Sequence, residues 1–369
     1  MPQNRPDNYN WSNIDRSRAA TRRRQDQALA LRNQGMSYIN IAQQLGYVDA
    51  NGRPKAQSAA EAVRAATRRR ANGDVDTALD IVSNTGIVTD YPLLPSNRTF
   101  GFEAEFFGIT PHAAERAMQA AGFPCEYEEY NHRVSATKWK IVRDQSVNGQ
   151  GTGLSRGIEL VSPILRGEDG MAKAVLAVNT LQAAGGRTDK SCGLHVHVGM
   201  DGLTGKQVVK VVDLYTANQQ HVNKLIARSR WNNIYCQPMS NHTRNSSAVT
   251  DFDNATTDRA TSSARSDLQY VDRYHAANLH AYSKYGTLEF RQHQGTLSGE
   301  KLTSWIRFLL GFVEKGSAMA DANEDFGSLD GLLNATPINA ETRAFLTRRA
   351  ERLERSREEA RNRANGVTN

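Results

Sequence analysis

Three short stretches of this chain place acids, imidazoles or a guanidinium two residues apart: Glu103 and Glu105 in TFGFEAEFFG, His195 and His197 in SCGLHVHVG, and Glu289 and Arg291 in YGTLEFRQHQGT. The residues between them are Ala104, Val196 and Phe290, so each stretch alternates as a half-buried strand does and sends both polar groups to one face. A chain patterned this way must build a sheet with one apolar side and one side that carries chemistry. Five acids and bases of metal-ligand type, with an arginine, can then converge on one face.

Each pair has a plainer alternative. An isolated Glu-x-Glu is commonly two surface acids on an edge strand, but Phe100, Phe102, Phe106 and Phe107 surround this one and argue for a central, buried position. Carboxylates there are costly unless a cation compensates them. Magnesium is the natural compensator, because it takes hard oxygen ligands and also binds phosphate. A lone His-x-His is most often a hydrogen-bonded pair, and zinc would need a third ligand, for which His221, His275, His280 and His293 are available. Gly193 and Gly199 bound that strand and permit close approach of a ligand, although HVHVGMD does not match the HxHxDH pattern of binuclear zinc hydrolases. A buried Arg291 needs an anion, either a phosphate or carboxylate ligand or an internal pair with Glu289 or Asp144. The loop RDQSVNGQGTGLSRGIELVSP ends in a strand carrying Glu159. Its glycines allow backbone to approach phosphate or simply make it flexible, and it has no GxxxxGK[ST] pattern.

The chain's 369 residues suit two or three domains, and its hydrophobic fraction of 39% and charged fraction of 23% suit a soluble protein with a real core. No apolar run approaches the ~20 residues of a membrane span, so no membrane association is expected. The opening MPQNRPDNYN has no apolar stretch of signal-peptide type. Cys125, Cys192 and Cys236 are far apart with no CxxC pair, which points to a reducing, cytoplasmic setting and away from disulfides or a thiolate zinc site.

The net charge of +7 is uneven: residues 1–73 hold 13 Lys and Arg against 5 Asp and Glu, leaving 33 basic against 34 acidic residues in the rest. Residues 1–20 read as an arm without periodicity, 21–73 as a basic helical domain, 74–97 as a linker, 98–335 as the sheet-bearing domain and 336–369 as a charged helical tail. In the basic domain a helix-compatible run over 22–33 stops before Gly35, Ser37 caps a second helix ended by Gly46, and a third runs over roughly 56–70. This pattern resembles a trihelical helix-turn-helix module, which implies DNA or RNA binding with Arg64, Arg68, Arg69 and Arg70 as contacts. The alternative is a protein-contact cap with solvated arginines. Residues from about 230 to 267, rich in Ser, Thr, Asn and charge, read as a mobile insertion over the site. KLTSWIRFLLGFVEKG has helical apolar spacing and should pack behind the sheet. The tail pairs Glu351 with Arg355 and Glu359 with Arg363 at i,i+4 spacing, an exposed helix suited to homo-oligomer formation.

Taken together, FGFEAEF, DQS followed by GIELVSP, CGLHVHVG, YCQP, RYHAANL and GTLEFRQHQGTL followed by SWIRF resemble the amidoligase family over roughly 98–315. This is a branch of the carboxylate-amine ligases with a glutamine-synthetase-like fold. The resemblance implies an α+β domain: a curved, mainly antiparallel sheet with helices on its outer face, here preceded by the trihelical domain. It also implies ATP and two or more magnesium ions, with Glu103, Glu105 and Glu159 as metal ligands, one of His195 and His197 with Glu289 at a second metal, and Arg291 beside the γ-phosphoryl group. Arg230, Arg273 and Asn278 match polar family positions suited to substrate or nucleotide. The expected reaction is ATP-dependent amide or isopeptide formation through an acyl phosphate, between a carboxylate and an amine borne by an amino acid, peptide or protein. The amine must lose a proton, which makes Asp144 and His293 the candidate bases. Two competing functions are a nucleic-acid-binding protein with a ligase-like scaffold and a zinc hydrolase using the His pair.

Overall fold

The computed structural model describes residues 24–25, 28–29, 31–32, 36–49, 51–71, 96–129, 137–147, 157–239, 246–320 and 323–365, with the side chains of 66–71 and 258 also outside the description. The arm at 1–20, the linker at 74–95, the glycine-rich loop at 148–156 and the side chains of Arg68, Arg69 and Arg70 therefore lie outside the described residues. The chain divides into two units, Met1–Thr89 and Asp90–Asn369.

In the first unit, Ser37 caps helix α1 (Tyr38–Gln44) by accepting from the Asn40 N–H, and Gly46 at φ +66 lets the chain turn out of it. Helix α2 (Ala56–Ala71) follows, and Ala59, Ala62 and Val63 pack against Ile41, Ala42, Ala28 and Leu29. Between the helices the chain makes a small hairpin in which Val48 bridges Pro54 and the Asp49 carboxylate accepts from the N–H groups of Asn51 and Arg53. That connection is longer than the three- or four-residue turn of a helix-turn-helix. It has no counterpart in the sequence reading.

The second unit is built on one sheet in the order β2 (Cys125–Glu128), β3 (Trp139–Arg143), β4 (Ile158–Val161), β1 (Thr99–Phe106), β6 (Gly193–Gly199), β8 (Thr287–Gln294), β7 (Ala277–Asn278), with β5 (Leu165–Arg166) also beside β1. Only the β2–β3 pair is parallel. The sheet is open and mostly antiparallel, and with eleven helices among the described residues the fold is α+β.

Register follows the apolar alternation. Phe102 lies opposite Val196, and Val196 opposite Phe290. With Phe100, Ala104, Leu160, Leu194 and Leu288 these residues form one buried face. Burying each phenylalanine is worth about 1.5–3 kcal/mol, and a one-residue slip would turn the whole set to water. Helices α4 (Gly167–Ala183), α5 (Gly205–Val222) and α9 (Gly299–Ala318) share that core through Met171, Leu181, Val208, Trp305, Phe308 and Phe312. The helix expected behind the sheet is α9, and its one inward cation, Arg307, pairs with Glu168 at 2.8 Å. Helix α3 (Pro111–Ala120) closes the β2–β3 end with Ala114 and Met118.

Two segments differ from expectation. The residues read as a mobile insertion form helices α6 (Ser247–Asn254) and α7 (Asp258–Asp267), and Val249 and Phe252 of α6 are fully buried in the main core. The tail is equally anchored: α11 (Ala340–Ala364) buries Thr342, Leu346, Arg349, Ala350 and Arg357, and the ion pairs within it that the structure shows join Glu354 to Arg357 and Arg361. Between α9 and α11 lie helix α10 (Leu329–Ala335) and the buried Thr336, so the second unit continues past the expected boundary at 335. Helix α8 (His280–Tyr285) ends at Gly286, whose φ of +68 turns the chain directly into β8. No helix among the described residues is long and apolar enough to cross a membrane.

Candidate active site

The face opposite the core shared with α4, α5 and α9 carries the paired residues. Pairing sets Glu103 opposite His195, Glu105 opposite Glu159, and His197 opposite Glu289, so the acids and imidazoles of four adjacent strands stand on one side of the sheet. His195 Nδ1 is 3.2 Å from Glu103 Oε2, and its Nε2 is 3.5 Å from Glu105 Oε1. His197 Nε2 lies 3.7 Å from Glu103 Oε1 and 4.0 Å from Glu289 Oε1, while its Nδ1 bonds Thr287 Oγ1 at 2.9 Å. Asp144, at the end of β3, accepts from the Ser146 N–H and hydroxyl, both at 2.7 Å.

Three groups of residues each bring one ligand atom apiece within 4.8 Å of the others: Glu103, Glu159 and His195; Glu103, His197 and Glu289; Glu105, Asp144 and Glu159. Glu103 and Glu159 are each shared by two groups. Five carboxyl groups thus meet one guanidinium and two imidazoles on a largely buried surface.

The electrostatics follow from that imbalance. Burial and the charges of Glu103, Glu105 and Asp144 push the Glu159 carboxyl well above the usual range, against a smaller pull from Arg291. Burial also opposes ionisation of Glu103, but hydrogen bonds and charge from His195 and His197 outweigh it and hold Glu103 well below that range. Burial resists charge on Glu289 too, yet Arg291 and His197 bring it down. His197 resists its own burial and is raised by Glu289 and Glu103. Neighbouring carboxyl groups on one buried surface divide in this way, Glu159 raised by its acidic neighbours and Glu103 and Glu289 lowered by the imidazoles and Arg291.

Arg291 makes the internal pair that the sequence allowed: its NH1 donates to Glu289 Oε1 and its Nε to the Tyr235 carbonyl at 3.1 Å. Asn278 holds the other Glu289 oxygen at 2.6 Å while its own oxygen accepts the His280 N–H, so both ends of the amide are engaged. Arg273 lies over the Tyr274 ring at 4.9 Å, and the Arg291 guanidinium is 5.9 Å from the same ring. Arg230 reaches the β6–β8 boundary, where its NH2 donates to the Arg291 carbonyl at 2.9 Å.

His293 departs from expectation. A register shift between Leu194 and Val196 puts one extra residue into β8, which sets His293 opposite Leu194 on the helix side. There it bonds Gln294 and packs on Trp305 at 5.1 Å, and burial and Arg349 hold it well below the usual imidazole range. It is placed away from the carboxylates and is not a base for chemistry on their face. None of His221, His275, His280 and His293 belongs to the three ligand groups. Sequence reasoning missed Thr287 and read Gly193 only as a place of close approach. Thr287 continues the alternation of Glu289 and was open to discovery. Gly193 acts through its backbone N–H, which donates to Glu105 Oε2 at 2.5 Å, a role that residue type does not announce.

Cys125, Cys192 and Cys236 are free and buried, and burial pushes the thiols of Cys125 and Cys192 up to about 12, which leaves them inert.

An open, mostly antiparallel sheet that gathers carboxylates, imidazoles and a buried guanidinium on one polar face defines an enzyme-type site on an α+β fold. The family model described as "putative amidoligase enzyme" matches residues 96–313, and the chain belongs to that amidoligase family. No curated protein matches the chain.

Proposed function

We propose that the protein is an ATP- and magnesium-dependent carboxylate-amine ligase with a glutamine-synthetase-like catalytic sheet. The observation that carries this reading is the trio of overlapping ligand groups, in which oxygen donors outnumber nitrogen and each group holds at most one histidine. Such donor sets suit magnesium better than zinc, which favours the ligase over a hydrolase built on the His pair. Glu103, Glu105, Glu159 and Glu289, with His195 and His197, would hold the cations. When bound, these neutralise phosphate charge and polarise the transferring group.

The remaining steps belong to the chain's own residues. A carboxylate is unreactive toward amines at neutral pH, so its oxygen first takes the γ-phosphoryl group as the bond to ADP breaks. Arg291, fixed by Glu289 and Tyr235, is the cation positioned for the charge that develops. The amine then attacks the acyl carbon, phosphate departs and the amine proton passes to a carboxylate, for which Asp144 is the candidate. The substrates are a carboxylate and an amine on an amino acid, peptide or protein, and tests must cover all three. Incubating the protein with ATP and cell extract should yield ADP, phosphate and a product lighter than its two reactants by one water. ADP release that needs neither carboxylate nor amine would exclude the ligase.

Glu159 gives a second expectation. Its folded-state pKa is raised, so its contribution to stability is full below the unfolded value of about 4.3 and fades as pH rises through the folded value. Glu159→Gln should therefore stabilise the cation-free protein at pH 8 and make no difference below about pH 4. Magnesium should stabilise the parent more as pH rises, because binding displaces that proton. Thermal melts across pH, with and without magnesium, check both.

The basic first unit is proposed to recruit the enzyme to DNA or RNA. The charge excess of residues 1–73 and the exposed Arg53, Lys55 and Arg64 support this. Affinity for a duplex should fall steeply with salt, and Arg64→Ala should flatten that slope by about one unit in a fluorescence-anisotropy titration.

A further inference from the structure

Arg230 is 2% exposed, its Nε has no hydrogen-bond partner, and its NH2 is committed to a carbonyl rather than to an acid. Among the described residues it makes no ion pair. It fills the space above Gly193, where a Cβ would stand 2.9 Å from its NH2 and 3.1 Å from His195 Nε2. A buried guanidinium beside a ligand cluster, without an anion of its own, is a feature that a bound oxyanion would complete.

How Arg230 is held is equally informative. It follows the turn that leaves α5, and its N–H bonds the Ala227 carbonyl at 3.0 Å. Two arginines of α11 grip that turn from outside. Arg349 Nε donates to the Leu225 carbonyl at 2.9 Å, and Arg357 NH2 to the carbonyls of Ile226 at 2.8 Å and Asn223 at 3.2 Å. Arg357 also lies 4.6 Å over the ring of Trp231, whose Nε1 donates to the same Asn223 carbonyl at 2.8 Å. From the sheet side, Gln292 bonds the Asn223 side chain at 2.8 Å, and Gln294 accepts the Ala227 N–H at 2.9 Å. Burial and the charges of Arg352 and Arg357 draw Arg349 down to about 10, so the fold keeps it there against its own electrostatics. Both arginines lie beyond residue 313, outside the family match.

We propose that Arg230 is the oxyanion-binding residue of this site, taking a phosphate or carboxylate group, and that Arg349 and Arg357 of the C-terminal helix are positioning residues that fix it at the wall between β6 and β8. The proposal rests on reading the polar face as a ligand site, but it does not depend on the reaction performed there. It makes α11 a working part of the enzyme.

Calorimetric titration of the full chain with magnesium pyrophosphate in one arm and acetate in the other tests this, with manganese affinity and melting temperature measured in parallel. Arg230→Met should weaken the preferred anion by about tenfold or more, the loss of one or two charge-assisted bonds. The Arg349→Met/Arg357→Met double variant should weaken the same anion by at least about fivefold with manganese affinity within about twofold of the parent, and Arg349→Lys/Arg357→Lys should recover part of it. Should the double variant not fold, Arg357→Met alone carries the test. The arm that responds tells phosphate from carboxylate. A merely structural α11 would lower the melting temperature and leave anion affinity untouched, and that result overturns the positioning role. A parent that binds neither anion overturns the whole. A parent that binds an anion through Arg230 yet releases ADP without needing a carboxylate or an amine would sink the ligase reading and leave this one standing.

Discussion

Glu103→Gln is expected to lower manganese or magnesium affinity by more than about a hundredfold and to reduce turnover by at least as much, while the cation-free protein remains folded. The substitution keeps shape and removes one charge, and Glu103 contributes to two of the three ligand groups. It also faces both imidazoles, at 3.2 Å from His195 and 3.7 Å from His197, so its loss removes the anion around which both rings are arranged. Glu105→Gln should cost less for cations, since Glu105 belongs to one group and also serves the Gly193 N–H. Isothermal titration of the two variants side by side checks the order. If Glu103→Gln bound manganese within about threefold of the parent, the shared-ligand reading would be wrong.

That ordering depends on strand register, and register is the part of this molecule that its sequence displays most openly. Period-two alternation is local, so the same-face placement of Glu103 with Glu105, His195 with His197 and Glu289 with Arg291 needs no knowledge of the fold. Antiparallel pairing then brings Glu159 opposite Glu105. The extra residue in β8 is different in kind. A bulge is a property of two strands together, and nothing in FRQHQ marks where the alternation breaks, so His293 reads as a site residue although it packs on Trp305. Sparse anchors are also hard to see. Val249 and Phe252 are two apolar residues at i,i+3 in an otherwise polar run, and they suffice to dock α6. The tail misleads for a third reason. Arginine usually reads as solvated, yet Arg349 and Arg357 are buried because the carbonyls that follow α5 need donors.

Arg291→Met should produce two separable losses. Without cations it leaves Glu289 buried and facing the other acids with its strongest counter-charge removed, a change that costs about 3–5 kcal/mol when one partner of a buried pair is deleted. Glu289 should respond by taking up a proton, so the deficit grows as pH rises above the carboxylate range and shrinks in acid. Saturating magnesium should recover much of this stability, because a bound cation supplies the missing charge. Turnover should not recover with it. If Arg291 meets the transferring phosphoryl group, magnesium restores the fold while the rate stays about a hundredfold or more below the parent. Denaturant unfolding with and without magnesium, set beside ADP release at saturating magnesium, separates the two. Full recovery of both would make Arg291 a counter-ion for Glu289 and nothing more, and the phosphoryl-transfer role would fall to another cation on the same face, with Arg230 the first to examine.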